Sequence, residues 1–222
     1  TKNIKNKLLK KKNPKGLLIP ITEFESYPTM LDTIRSRRDT INFLNNFDLF
    51  MKNLNIEIFN HTKIKYRNPF EAVKLPVKVK KGILENGLNF QKESLEKKYK
   101  GKIIISSQTS LIMASEFKLI IEFVNGTGFL ECLTNNVPVV LVMSKYNNSL
   151  NHYAKDFYEK LKKVKIYFED FVEASNFINK NYSKLNEWWY SKNLQEVRIE
   201  FVNIFAKKSN SKLAEVKKAI LN

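Results

Sequence analysis

Lys118-Leu-Ile-Ile-Glu-Phe-Val124, Asn125-Gly-Thr-Gly-Phe-Leu-Glu131 and Val137-Pro-Val-Val-Leu-Val-Met143 are the three consecutive pieces that decide the fold. The first and third are seven-residue stretches dominated by apolar side chains, too short for core helices and long enough for strands buried on both faces. Between them a glycine turn leads into a segment, Gly128 to Asn135, that the spacing predicts to be a short helix. The unit repeats at once. Leu150 to Val164, with Tyr153, Phe157 and Leu161 on one side, reads as a helix, and Lys165-Ile-Tyr-Phe168 as the next strand, completing βαβαβ.

Working outward, Gly16-Leu-Leu-Ile-Pro-Ile-Thr22 reads as the first strand and Asp32 to Asn55 as a helix carrying Ile41, Leu44, Phe47, Met51 and Leu54 on its core face. Ile56-Glu-Ile-Phe59 reads as the second strand, and residues 66–89, with Pro69, Pro76, Gly82 and Gly87, as a long loop holding a short strand at Val77 to Val79. A charged helix, Gln91 to Lys100, precedes a third strand, Lys102 to Ser106. Everything from Asp170 onward is helical, with Phe171, Ala174, Ile178, Leu185 and Trp189 and then Leu194, Val197, Phe201 and Phe205 at helical spacing on either side of a break at Ser191. The expectation is an α/β fold: a Rossmann-like, mainly parallel sheet of about six strands with flanking helices and a long C-terminal helical segment. Its parts are a basic lead-in over 1–14, a Rossmann-like domain over 15–170, and helices over 171–222 packing on that same domain.

Composition narrows the function. The 222 residues, 43% hydrophobic and 27% charged, exclude a disordered or fibrous chain. One cysteine, Cys132, excludes an intramolecular disulfide and any cysteine-built metal centre, and together with two histidines argues against metal catalysis in a reducing, cytoplasmic setting. No apolar run is long enough for a membrane span. The net charge of +17 raises nucleic acid as a partner. Lysine outnumbers arginine heavily, however, and base or phosphate recognition favours the planar arginine fork, so the charge reads mainly as a solvated lysine surface. The chain opens on Thr1 and enters a strand soon after, which leads us to expect one half of a longer protein.

The turn Asn125-Gly126-Thr127-Gly128 is the best anion site in the sequence. It follows a buried strand and opens a helix, whose free first-turn N–H groups and positive dipole end attract phosphate while glycine lets it approach the backbone. Glu131, one turn in, can accept hydrogen bonds from sugar hydroxyls. Equally, Asn125 and Thr127 can be plain helix caps around a tight turn. A third dinucleotide glycine is absent because Glu131 occupies its position, and no Gly-Lys-Ser/Thr loop exists, which argues against NAD and against an ATPase.

The block 125–131, with Asn135-Asn-Val-Pro-Val-Val140, Glu173-Ala174, Phe177-Ile-Asn179, Trp188-Trp189, Arg198 and Phe201, resembles the C-terminal half of a family of bacterial surface-carbohydrate transferases. These are similar to two-domain GT-B glycosyltransferases, and more distantly to the glycerophosphotransferases and sialyltransferases that use cytidine nucleotides. The resemblance covers roughly residues 100 to 206 well and 15 to 100 weakly. Thr127 and Leu130-Glu131 match, whereas Gly126 and Gly128 stand where that family often carries hydroxyl residues.

The resemblance implies a donor-binding half with no cofactor: its substrate is a nucleotide-activated sugar, cytidine nucleotides included, and its acceptor domain lies outside this chain. In an open parallel sheet the ligand sits at the carboxyl ends of the strands. Placed there by the strand assignment are Thr22 and Glu23, Lys65 and Arg67, Ser106 and Ser107, and the turn at Asn125. Arg67 reads as a diphosphate clamp or as an ordinary solvated arginine. His61, read as following the second strand, is an acid-base candidate or a surface histidine; Glu23 and Glu25 are the carboxylates nearest the cleft. No catalytic residue is assigned. Trp188, Trp189, His152 and Cys132 read as structural. Arg37-Arg38 and Lys10-Lys11-Lys12 are the basic pairs and runs that could touch anionic lipid at the inner membrane face. A basic nucleic-acid-binding module and a non-catalytic scaffold of the same fold are the alternatives.

Overall fold

A computed structural model describes residues 14–22, 37–67, 90–106, 109–144 and 152–206. Its centre is one sheet of six strands: β1 (Leu17–Thr22), β2 (Lys63–Arg67), β3 (Ile103–Ile105), β4 (Leu119–Glu122), β5 (Val139–Val142) and β6 (Tyr167–Phe168). Their order is β3-β2-β1-β4-β5-β6, and every neighbouring pair is parallel. The expected Rossmann-like α/β architecture is therefore present. Because the chain runs outward from β1 to β3 and then returns to β4, the order reverses between β1 and β4, the place where such sheets open a crevice at their carboxyl ends. The register agrees: β1 pairs with β2 from Leu18 to Thr22, but with β4 at Leu17 and Leu18.

Helices cover both faces. α1 (Arg37–Asn53), α2 (Ile56–His61) and α3 (Phe90–Lys98) precede β3. After it come α4 (Ser110–Met113), a 3-10 turn at Ala114–Glu116, α5 (Thr127–Thr134) and α6 (His152–Lys163). The C-terminal segment is α7 (Phe171–Asn181), a 3-10 turn at Tyr182–Lys184, α8 (Leu185–Trp189) and α9 (Lys192–Phe205), with the break at Ser191 that the spacing predicted. Asp170 starts α7 as a cap, its carboxylate accepting from the Glu173 N–H at 2.7 Å. Among the described residues no helix is long and apolar enough to cross a membrane.

Strand alternation divides the core in two. Leu17, Ile19, Ile21, Ile64, Ile121, Phe123, Val140 and Phe168 meet α1 and α7 on the first face. Leu18, Ile120, Val139, Leu141 and Tyr167 meet α5, α6 and α9 on the second.

One element differs in kind from expectation. Ile56-Glu-Ile-Phe59 is helix α2, and the second strand is the more polar Lys63-Ile-Lys-Tyr-Arg67. In a strand Ile56 and Ile58 would share a face; here Ile58 is buried and Ile56 is exposed. Tertiary contacts fix this turn, since Asn179 of α7 donates to the Asn53 carbonyl at 2.6 Å and accepts from the Asn55 N–H at 2.9 Å, bridging the ends of α1 and α2. The strand expected at Val77 to Val79, and most of its surrounding loop, lie outside the described residues.

Candidate functional site

β4 carries an acidic residue into the core. Glu122 is its last residue and faces the second side of the sheet; it is 7% exposed, and Oε1 is buried without a hydrogen-bond partner among the described residues. On the same face of β2, Lys65 is 3% exposed. Lys65 pairs in register with Pro20, and Glu122 lies two residues beyond the Leu18–Ile120 pair, so Lys65, Pro20 and Glu122 form one row across β2, β1 and β4. The row ends at the β1–β4 crevice. Burial, opposed by Lys65 and reinforced by Glu131, pushes the Glu122 carboxyl up to about 8. Near neutral pH it therefore holds its proton.

The turn above it is built around this carboxyl. Gly126 is the N-cap residue of α5, with extended backbone and no side-chain cap hydrogen bond of its own. Asn125 hydrogen-bonds the phenol of Tyr158 on α6, itself raised to about 12, chiefly by burial. A Cβ on Gly128 would stand 2.8 Å from Glu122 Oε1, whereas one on Gly126 would meet only the Val124 side chain at 3.9 Å. Gly128 makes room for the carboxyl, and Gly126 leaves space open above the turn. The first-turn N–H groups of α5 have no partner within the helix.

The other sequence candidates separate into groups. Thr127 and Glu131 are exposed on the first turns of α5. Thr22 and Arg67 end β1 and β2 opposite each other in register, at the carboxyl edge. Ser106 follows β3, three strands from β4; Glu23, Glu25 and Ser107 lie outside the described residues. Lys65 is within β2, not after it. His61 precedes β2 because the strand is 63–67, so it stands at the amino edge, where Nδ1 donates to the Glu57 carbonyl at 2.9 Å.

The aromatic and sulfur candidates are core residues. Trp189 is fully buried with its indole N–H on Asn136 Oδ1 at 3.0 Å, and Trp188 donates to the Val164 carbonyl at 3.0 Å. Cys132 is buried, and burial, with Glu122 and Glu131, pushes its thiol up. Glu122 was absent from the sequence candidates; its signal was a lone acid inside a strand buried on both faces.

A buried carboxyl under a glycine turn, at the switch point of a Rossmann-like sheet, is an arrangement suited to binding and transferring a charged group. The family model described as LIC12162 family transferase matches residues 1–220. The chain belongs to this transferase family. No curated protein matches it.

Proposed function

We propose that this member of the transferase family is the donor-binding part of a glycosyltransferase-like enzyme of GT-B type, acting in bacterial surface polysaccharide assembly. The observation that carries the reading is the Asn125–Gly128 turn at the start of α5, beside the β1–β4 crevice. The phosphates of a nucleotide-activated sugar, cytidine nucleotides included, sit over the backbone of Gly126 and Gly128 in the positive field of the helix end. Thr127 adds a hydroxyl donor, Glu131 accepts from sugar hydroxyls, and Arg67 and Thr22, the last residues of β2 and β1, complete the set.

In this mechanism the chain contributes donor binding and stabilisation of the leaving nucleotide's charge. Transfer also needs an acceptor hydroxyl aligned with the anomeric carbon and water excluded. A second, acceptor-holding domain supplies this, and the basic lead-in with Arg37 and Arg38 brings the enzyme to an anionic membrane face where that acceptor is anchored.

Titrating the chain with CMP, CDP, UDP and GDP beside a single-stranded oligonucleotide tests the reading. Saturable nucleotide binding that Thr127→Ala or Glu131→Gln weakens at least tenfold, with unchanged melting temperature, is the expected result. Salt-sensitive oligonucleotide binding without a nucleotide response would replace it by the nucleic-acid reading that the charge of +17 favours.

A further inference from the structure

Glu122 is costly where it stands. A carboxyl oxygen without a hydrogen-bond partner in the core loses its hydration for nothing in return, yet here one that has no partner among the described residues lies against the first turn of α5, in a space that a side chain at position 128 would fill. The titratable groups that face it are Lys65 from β2 and Glu131 and Cys132 from α5; from β1 its row neighbour is Pro20, which does not titrate. Against such a background the uncharged acid is the stable form below about pH 8. In that form the group is a hydrogen-bond donor, not a competitor for the positive helix end.

We propose that Glu122 and Lys65 belong to the anion site at the start of α5 and make it proton-linked: a phosphate-type anion over Gly126–Gly128 holds one proton on Glu122, whose carboxyl donates its hydrogen bond toward the anion while Lys65 supplies positive charge. The identity of the anion as a nucleotide phosphate rests on the proposed function; the proton linkage does not. Were Glu122 ionised, its charge would lie against the same helix turn as the ligand, and two anions sharing one turn repel. Linkage makes the effect reciprocal, so a bound anion raises the proton affinity of Glu122 by the same factor by which the proton raises the affinity for the anion.

The test uses the full chain, with sulfate and CDP as probes, titrated calorimetrically at pH 7 and pH 9 in two buffers of different ionisation heat. Sulfate keeps one charge state across that range, so a pH response reports the protein. For both probes affinity is expected to fall about tenfold from pH 7 to pH 9, following the fraction of neutral carboxyl, with proton uptake at pH 9. Glu122→Gln, a permanent mimic of the neutral acid, is expected to bind at pH 9 as tightly as at pH 7 and to take up no proton. Lys65→Met weakens binding at both pH values and, by removing the charge that opposes burial, moves the pH response to higher pH. Glu122→Gln with the wild-type pH response, or anion binding without proton uptake at pH 9, overturns the inference. Proton-linked sulfate binding with CDP binding no tighter sinks the nucleotide reading and leaves the linkage standing. Absence of saturable binding of either probe overturns both.

Discussion

The two faces of the sheet bury similar amounts of apolar side chain but treat charge differently. The first face is closed by an aromatic cluster in which Phe123 stacks on Phe171 at 5.1 Å and meets Phe43, Phe47 and Phe50 edge-on. A polar group buried there, Ser175, is satisfied locally, donating to the Val172 carbonyl and accepting from Asn53. The second face buries Lys65, Glu122 and Arg198. Desolvating a charge usually costs more than pairing returns, so each of these groups needs a reason for its place. On the function proposed above, the first face holds the fold and the second, near the ends of β1 and β4, carries the site.

The most direct way to break this division is to damage each face in turn. Phe47 is fully buried and contacts Phe43, Tyr99 and Phe123. Phe47→Ala is expected to cost about 3–5 kcal/mol in urea denaturation by leaving a cavity that the packed rings cannot collapse into. CDP affinity of the folded fraction should be unchanged. A loss of affinity in step with stability would show that the first face is not merely support.

The second face should answer to pH. Unfolded, Glu122 titrates near the ordinary glutamate value of 4.5; folded, it titrates at about 8. Between these values the folded protein keeps a proton that the unfolded chain has lost, so its stability falls as pH rises through the window and levels off above it. Glu122→Gln removes that slope. The variant should match wild type near pH 4 and exceed it by roughly 3–5 kcal/mol at pH 9. Parallel stability curves for the two proteins would mean that Glu122 is ionised and paired in the folded state.

That this residue escaped a reading of the sequence has a physical cause. The apolar runs of β4 and β5, the glycine turn and the C-terminal helical spacing were legible because each is local: burial on both faces forces continuous apolar runs, and periods of three to four residues need no partner to be seen. Whether Ile56-Glu-Ile-Phe59 is helix or strand was not local. It was decided by Asn179, more than 120 residues away in sequence. The same misassignment put Lys65 after the second strand rather than inside it, because the true strand alternates lysine with apolar residues and so looks like an exposed edge. Glu122 stands in a run whose burial was legible, but the contact that marks it, its carboxyl against Gly128 at the start of α5, is tertiary. The exposed candidates Thr127 and Glu131 were easier, since a turn between a buried strand and a helix declares itself.

Arg198 sharpens the comparison by asking whether every buried charge on the second face serves a ligand. It donates through Nη1 to the Leu133 carbonyl at 2.6 Å and through Nε to Gln195 Oε1 at 3.0 Å, while Gln195 donates to the Trp189 carbonyl at 2.7 Å. The guanidinium thus ties α9 to the carboxyl end of α5, where unpaired carbonyls and the helix dipole favour a cation. Glu122 lies against Gly128 near the opposite end of that helix, five residues and so about 7–8 Å along its axis from Leu133. Arg198→Met preserves most of the buried aliphatic volume, so the loss should be that of a charged hydrogen bond, about 2 kcal/mol in chemical denaturation. Binding of CDP, and its response to pH, should stay as in wild type. If Arg198→Met instead weakens CDP without changing the denaturation midpoint, the anion site reaches along the whole of α5 and the boundary drawn here between its two ends is wrong.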